Sequence, residues 1–351
     1  MNETQQKLIW CTQTSIAPNN SEIDNPKLRR ALFTKNNLWP TGTNITVGFI
    51  GDGENTVLQQ DFQLNDEDPL NIEIMNLLRQ SPRKITIKEA IKRIVRERIE
   101  PIVNLKFIFI EDPFQAQLKI SFDGNRGSNA NLGYGGDNVY HTMNYAWFNV
   151  HVVLHGCGHL IGLYHEHQSP IENSISWDKE AIYRMMIEIH KWTKEQIDDN
   201  ILNNLDKESI NGSTFDPLSI MQYPYPPEWT TNKVGSKLNG RFSGKDVLWI
   251  CKTYPKQNED PIVTAENFYQ RVYGESLQSS IDKSERMAIE FRVGTIKPVP
   301  TVPTVPTVIT VPPVPTVPSK LDSKKIWVVF GIVSGLVILM LIANLFLRIK
   351  M

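Results

Sequence analysis

Three histidines constrain this chain more than any other feature. His155, His159 and His165 lie within VVLHGCGHLIGLYHEHQSP, Val152 to Pro170, at spacings of four and six. Four apart on a helix, the first two imidazoles project from one face about one turn apart. Two nitrogens so placed can hold one ion at ~2.0–2.1 Å each. Gly162 then lets the chain leave the helix, because glycine accepts the left-handed backbone that a side chain resists. His165, three residues on, can return as a third ligand. Three neutral imidazoles leave a fourth position open to water or substrate, the arrangement of catalytic rather than structural zinc. A lone histidine is more often a satisfied core residue, but three at these spacings around a glycine are not explained that way.

The elements around this segment read as a mixed domain. Thr43 to Ile50 reads as a strand, entered by the turn Trp39-Pro40-Thr41-Gly42. Ile85 to Glu100 reads as a helix with Ile87, Ala90, Ile91, Ile94, Val95 and Ile99 on one face, ended by Pro101. Leu105 to Ile110 and Gln117 to Phe122 read as two more strands, and Gly124 to Gly136 as a loop rich in glycine and asparagine. Helices follow over Asn149 to Tyr164, Asp178 to His190 and Asp246 to Lys252. Strands alternate with helices at first and helices dominate later, which predicts an α+β domain. Residues 256–297 are polar and weakly helical, without a motif.

Charge excludes one class of partner. The chain has 351 residues with 37 basic and 38 acidic side chains, lacking the basic excess of a nucleic-acid binder. Three cysteines, Cys11, Cys157 and Cys251, are too few and too scattered for a disulfide scaffold, so reduced thiols are expected.

The two ends differ. The first 20 residues contain no apolar run of signal-peptide length. Ile326 to Leu347 is almost unbrokenly apolar and would cover roughly 33 Å as a helix, enough to cross a bilayer core. A buried helix of a soluble protein can be as apolar, but Lys324 and Lys325 before it and Arg348 and Lys350 after it favour a membrane span. Pro298 to Pro318 is a Val-Pro-Thr repeat, whose proline density predicts an extended spacer. A proline-rich ligand for a signalling domain is the sharper alternative, although no basic residue lies inside the repeat.

The histidine segment is the H-x-x-x-H-x-x-G-x-x-H skeleton of the metzincins. Downstream, Ser219-Ile220-Met221-Gln222-Tyr223 resembles their Met-turn. Further stretches resemble the short, disulfide-poor branch of the astacin family: Trp39-Pro40 with its strand, AQLKISF, Thr142-Met143-Asn144, HEHQSP, Trp177-Asp178-Lys179-Glu180, WTKEQIDDN, FDPLSIMQYPY and Trp229-Thr230. The resemblance covers roughly residues 27–255. It implies a two-lobed, zincin-like domain with a twisted mixed five-stranded sheet, mostly parallel with an antiparallel edge strand that aligns an extended peptide. It further implies one zinc ion on His155, His159 and His165, Met221 beneath the metal, and Tyr223 as an oxyanion stabiliser.

One residue departs from that pattern. The family has glutamate directly after the first histidine, where this chain has Gly156. That glutamate takes a proton from the metal's water and delivers one to the leaving amine, and glycine can do neither. Losing such a group costs ~10²–10⁴-fold in rate. Glu166 and His167 adjoin the third ligand, but the family's residue at the Glu166 position is structural and aimed away. Cys157 is expected to be a small buried thiol. Phe49-Ile50-Gly51-Asp52 matches a propeptide signature of the family, yet it falls at the end of the domain's first strand and is read as strand and turn.

These readings divide the chain into an extension (1–26), an astacin-like domain (27–255), a polar region (256–297), a Pro/Val/Thr-rich stalk (298–320), a transmembrane helix (326–347) and a basic tail (348–351). The expected function is a membrane-anchored zinc-binding pseudoprotease whose cleft binds polypeptide. Two alternatives stay open, a working zinc endopeptidase and a structural or attachment protein. A C-terminal anchor inserted after translation would leave the zinc domain in the cytosol. Sequons at Asn2, Asn19, Asn44 and Asn211 would matter only in a lumen.

Overall fold

A computed structural model describes residues 11–14, 33–34, 37–59, 64–135, 141–171, 175–205, 210–211 and 214–293. Its elements are β1 (Cys11–Thr14), β2 (Asn44–Ile50), α1 (Pro69–Arg79), α2 (Ile87–Ile94), β3 (Lys106–Phe109), β4 (Leu118–Ser121), β5 (Ser128–Asn131) and β6 (His141–Asn144). They continue as α3 (Val150–Leu160), α4 (Lys179–Met185), α5 (Gly244–Thr253), α6 (Pro261–Tyr273) and α7 (Leu277–Val293), with shorter turns and two-residue bridges between.

The sheet has the order β1-β5-β6-β4-β2-β3. β2 runs parallel to β3 and β4, with Val47 opposite Phe109 and Leu118, and β4 runs parallel to β6. β5 is antiparallel to β6, with Ala130 opposite Met143. These five strands are the mixed sheet the resemblance implies. The sixth, β1, comes from the N-terminal extension and runs parallel to β5, with Thr12 opposite Asn129.

β5 falls inside the stretch expected to be loop. Ser128-Asn129-Ala130-Asn131 has no β-branched or aromatic residue, so nothing local marks it as strand. It is extended because β6 offers it a ladder, reinforced where the Asn131 side chain accepts from Thr142 N and Oγ1 at 2.5 and 3.0 Å. Ser128 and Ala130 turn inward, and the alternation of burial holds the register.

α2 shows why the helices form where they do. Thr86 and Glu89 make a reciprocal capping box at its start, and Ile87, Ala90, Ile91 and Ile94 bury one face. The helix widens into a π-type turn over Val95–Ile99 before Pro101. At α1, Asp68 caps the N-terminus and also pairs with buried Arg98 at 2.9 Å. Gly51 turns at φ +81° directly after β2, and Asp52 accepts from Glu54 N, so Phe49 to Asp52 is strand and turn.

Residues 261–293 fold into a helical hairpin. Asp260 caps α6, and Gly274 at φ +70° ends it. Among the described residues two apolar cores form. The larger lies between the sheet, α2, α3, α5 and α6, and includes Leu277 at the start of α7. The smaller gathers Ile182, Met186, Ile197, Ile201, Phe215, Tyr225 and Trp229 with Ala288 and Phe291 of α7. Cys157 and Cys251 are free and buried, and burial pushes each thiol up to about 12. Among the described residues no helix is long and apolar enough to cross a membrane, and the stretches 298–318 and 326–347 lie outside them.

Candidate metal centre

α3 is buried along its whole length. Asn149 caps it, accepting from Val152 N. Its far end is tied down where Trp39 Nε1 donates to Leu160 O at 2.9 Å and Tyr254 donates to Ile161 O at 2.8 Å. Gly162, at φ +99°, turns the chain out of the helix as its position suggested. A substituent there would be strained. The turn brings His165 back to face His159.

The three imidazoles converge. His159 Nε2 lies 3.1 Å from both His155 Nε2 and His165 Nε2. His155 Nδ1 faces the Ile220 carbonyl at 2.9 Å and His159 Nδ1 the Leu163 carbonyl at 2.8 Å. Each Nδ1 therefore carries the proton, and each Nε2 presents a bare lone pair to the other. Two lone pairs at that distance repel unless a cation sits between them. Ligands on a tetrahedral ion with ~2.0–2.1 Å bonds would stand about 3.3 Å apart, close to what the histidines provide. Burial holds His155 down to about 4 and His159 well below its ordinary value, so both are neutral donors at pH 7. Among the described residues this is the one cluster of side chains with metal-binding geometry.

The Met-turn lies against the triad. Met221 is buried, and its sulfur packs on Gly158, between the first two ligands; a β-carbon there would sit 2.5 Å from it. Tyr223 is also buried, its ring 4.1 Å from that of His165 and 4.6 Å from that of His167. Asp246, at the N-terminus of α5, holds the turn in place. It accepts from Ser219 Oγ and Ile220 N, both at 2.8 Å, so the carbonyl that meets His155 is fixed by a carboxylate. Burial and neighbouring Asp216 push Asp246 up to about 7.

Gly156 offers no side-chain polar atom. The residues that could stand in for a carboxylate are otherwise engaged. Glu166 is buried and accepts from Asp216 N at 2.8 Å, with burial and Asp216 raising it well above the carboxylate range. His167 Nε2 meets the Asn200 carbonyl at 2.9 Å, and burial holds it at about 3.

Two residues escaped the sequence reading. His151 lies one turn before His155, its ring 5.8 Å away and its Nδ1 donating to Asn239 O at 2.7 Å. Its spacing of four was the available signal. Tyr145 projects from just beyond β6 against Gly156, and nothing local marks that contact.

No known family profile matches the chain, and no curated protein does. A solved structure of myroilysin aligns with 65% of this chain and all of its own at 25% identity, with a TM-score of 0.50. The fold is that of an astacin-like zinc metalloprotease. A crystal structure of myroilysin (22% identity, 72% of this chain and 96% of its own, TM-score 0.39) overlaps more loosely. So does high choriolytic enzyme 1, a hatching enzyme zinc-protease from Oryzias latipes, the medaka fish (12% identity, 68% and 100%, TM-score 0.35).

Proposed function

We propose that this chain is an astacin-like zinc metallopeptidase domain that has lost its proton-transfer group, a pseudoprotease held to a membrane through residues 326–347 with its zinc domain in the cytosol. One observation carries the reading. Three imidazole nitrogens converge on a point while the adjoining position, Gly156, has no side chain. One zinc ion on His155, His159 and His165, when bound, supplies Lewis-acid polarisation of a peptide carbonyl.

The chain's own residues do the rest. Ile220 and Leu163 carbonyls fix the tautomers of the first two ligands, and Met221 closes the floor. Tyr223, whose ring packs on that of His165, would be the oxyanion stabiliser, although a phenol is a poor base near neutral pH. No residue at position 156 moves the proton, so binding is retained and turnover is lost.

An extended polypeptide is the ligand this cleft would take, added along the edge of β5. That edge carries β1, so a peptide must displace the chain's own residues 11–14.

The test compares the zinc-loaded, detergent-solubilised full chain with its Gly156→Glu variant on a broad peptide library. The expected result is chelator-sensitive cleavage by the variant alone. Comparable chelator-sensitive cleavage by the natural chain would overturn the reading in favour of a working endopeptidase.

A further inference from the structure

We infer that α7, which lies beyond the stretch carrying the family resemblance, is a positioning element of the metal centre and acts through Ser284. The inference rests on the zinc reading above. α7 spans both cores. Leu277 at its start is buried in the larger core, while Ala288 and Phe291 near its end are buried in the smaller one. At 17 residues it covers roughly 25 Å.

Between those anchors Ser284 is fully buried, and its hydroxyl donates to Asp216 Oδ1 at 2.5 Å. The other oxygen of Asp216 accepts from Ser243 Oγ at 2.6 Å. Phe291 meets Phe215, the residue before Asp216, ring to ring at 5.9 Å. The helix therefore grips one short segment, Phe215-Asp216, by its carboxylate and by its ring.

That segment feeds the site along two paths. Asp216 N donates to Glu166, the residue after His165. Asp216 O accepts from Ser219 N at 3.0 Å, and Ser219 begins the turn whose Ile220 carbonyl orients His155. Glu166 N in turn donates to Met221 O at 3.1 Å, closing a ring of bonds around the ligands. Every member is a buried polar group, so losing one partner strands another. Outer-shell partners of this kind change metal affinity by ~10–100-fold when removed, and Ser284, one bond further out, should act near the lower end.

The test measures zinc affinity of the full-length chain by chelator competition, beside thermal unfolding, for Ser284→Ala, Phe291→Ala and Lys283→Ala. Lys283 is the control. It is the preceding residue of the same helix but pairs with Asp66, away from Asp216. The expected result is zinc affinity lowered roughly tenfold by Ser284→Ala, and lowered also by Phe291→Ala, with Lys283→Ala leaving it unchanged. Altered unfolding with unchanged zinc affinity in both Ser284→Ala and Phe291→Ala would show that α7 only stabilises the fold, and the inference would fall. If the natural chain binds no zinc, the reading of the centre fails instead, and the two failures are told apart. Should Phe291→Ala not fold, Ser284→Ala decides alone.

Discussion

A β-carbon built on Gly156 would lie 3.1 Å from the Tyr145 hydroxyl and 3.3 Å from the Met143 sulfur. The space beside Gly156 is thus not open. It is bounded by a buried phenol and a buried thioether, both packed between the sheet and α3. Glycine in mid-helix costs ~1 kcal/mol relative to alanine, so a compensating contact at this position has physical meaning. Overpacking against the phenol would cost roughly 1–3 kcal/mol, enough to cancel that gain.

Restoring glutamate should therefore work better when Tyr145 gives way. Gly156→Glu is expected to bind zinc and cleave, and Gly156→Glu with Tyr145→Phe to unfold at higher temperature and cleave faster. Peptidase assays and thermal unfolding of the two variants check this. Equal rates and equal stability would mean the hydroxyl does not crowd the site.

Metal stoichiometry follows from the converging nitrogens. The purified chain should hold one zinc per molecule by elemental analysis, and His159→Ala should hold none under the same conditions. His159 is the ligand whose Nε2 faces both others, so its loss leaves a pair that cannot enclose an ion. Retention of a full equivalent by His159→Ala would relocate the metal.

The edge of β5 gives a binding prediction. Deleting residues 1–14 removes β1 and leaves the backbone groups of β5 unpaired on that side. An extended peptide that competes with β1 in the full chain should bind the truncated chain more tightly, as read by fluorescence anisotropy. Unchanged affinity would place the peptide elsewhere than on this edge.

His141 predicts acid lability. It is fully buried against Trp39, its two ring nitrogens have no hydrogen-bond partner among the described residues, and burial lowers it from 6.5 to about 4. The unfolded chain takes up a proton near 6.5 while the folded one resists until about 4, so stability is lost as pH falls through that window. The full loss is on the order of 3 kcal/mol. His141→Phe should lessen but not abolish the pH dependence of unfolding between 6.5 and 4, because buried His151, His155 and His167 are held down as well; an unaltered profile would show that those other groups set it.

The sequence alone determined the part of this protein that depends on spacing. Histidines four apart on a helix must share a face, and Gly162 must turn the chain, so the meeting of His155, His159 and His165 was legible before any tertiary contact was known. The amphipathic helix from Ile87 and the strands around Val47 and Ile120 were legible for the same reason. Tertiary structure decided what depends on neighbours distant along the chain. Ser128 to Asn131 is a strand only because β6 lies beside it, and residues 11–14 join the sheet only because β5 has a free edge. The polar residues of 261–293 became a helical hairpin docked on both cores, and no local pattern announced that Ser284 would meet Asp216, 68 residues earlier. Local periodicity fixes which face of an element is apolar; which partner covers that face, and which buried carboxylate finds which hydroxyl, is settled only when the whole chain packs.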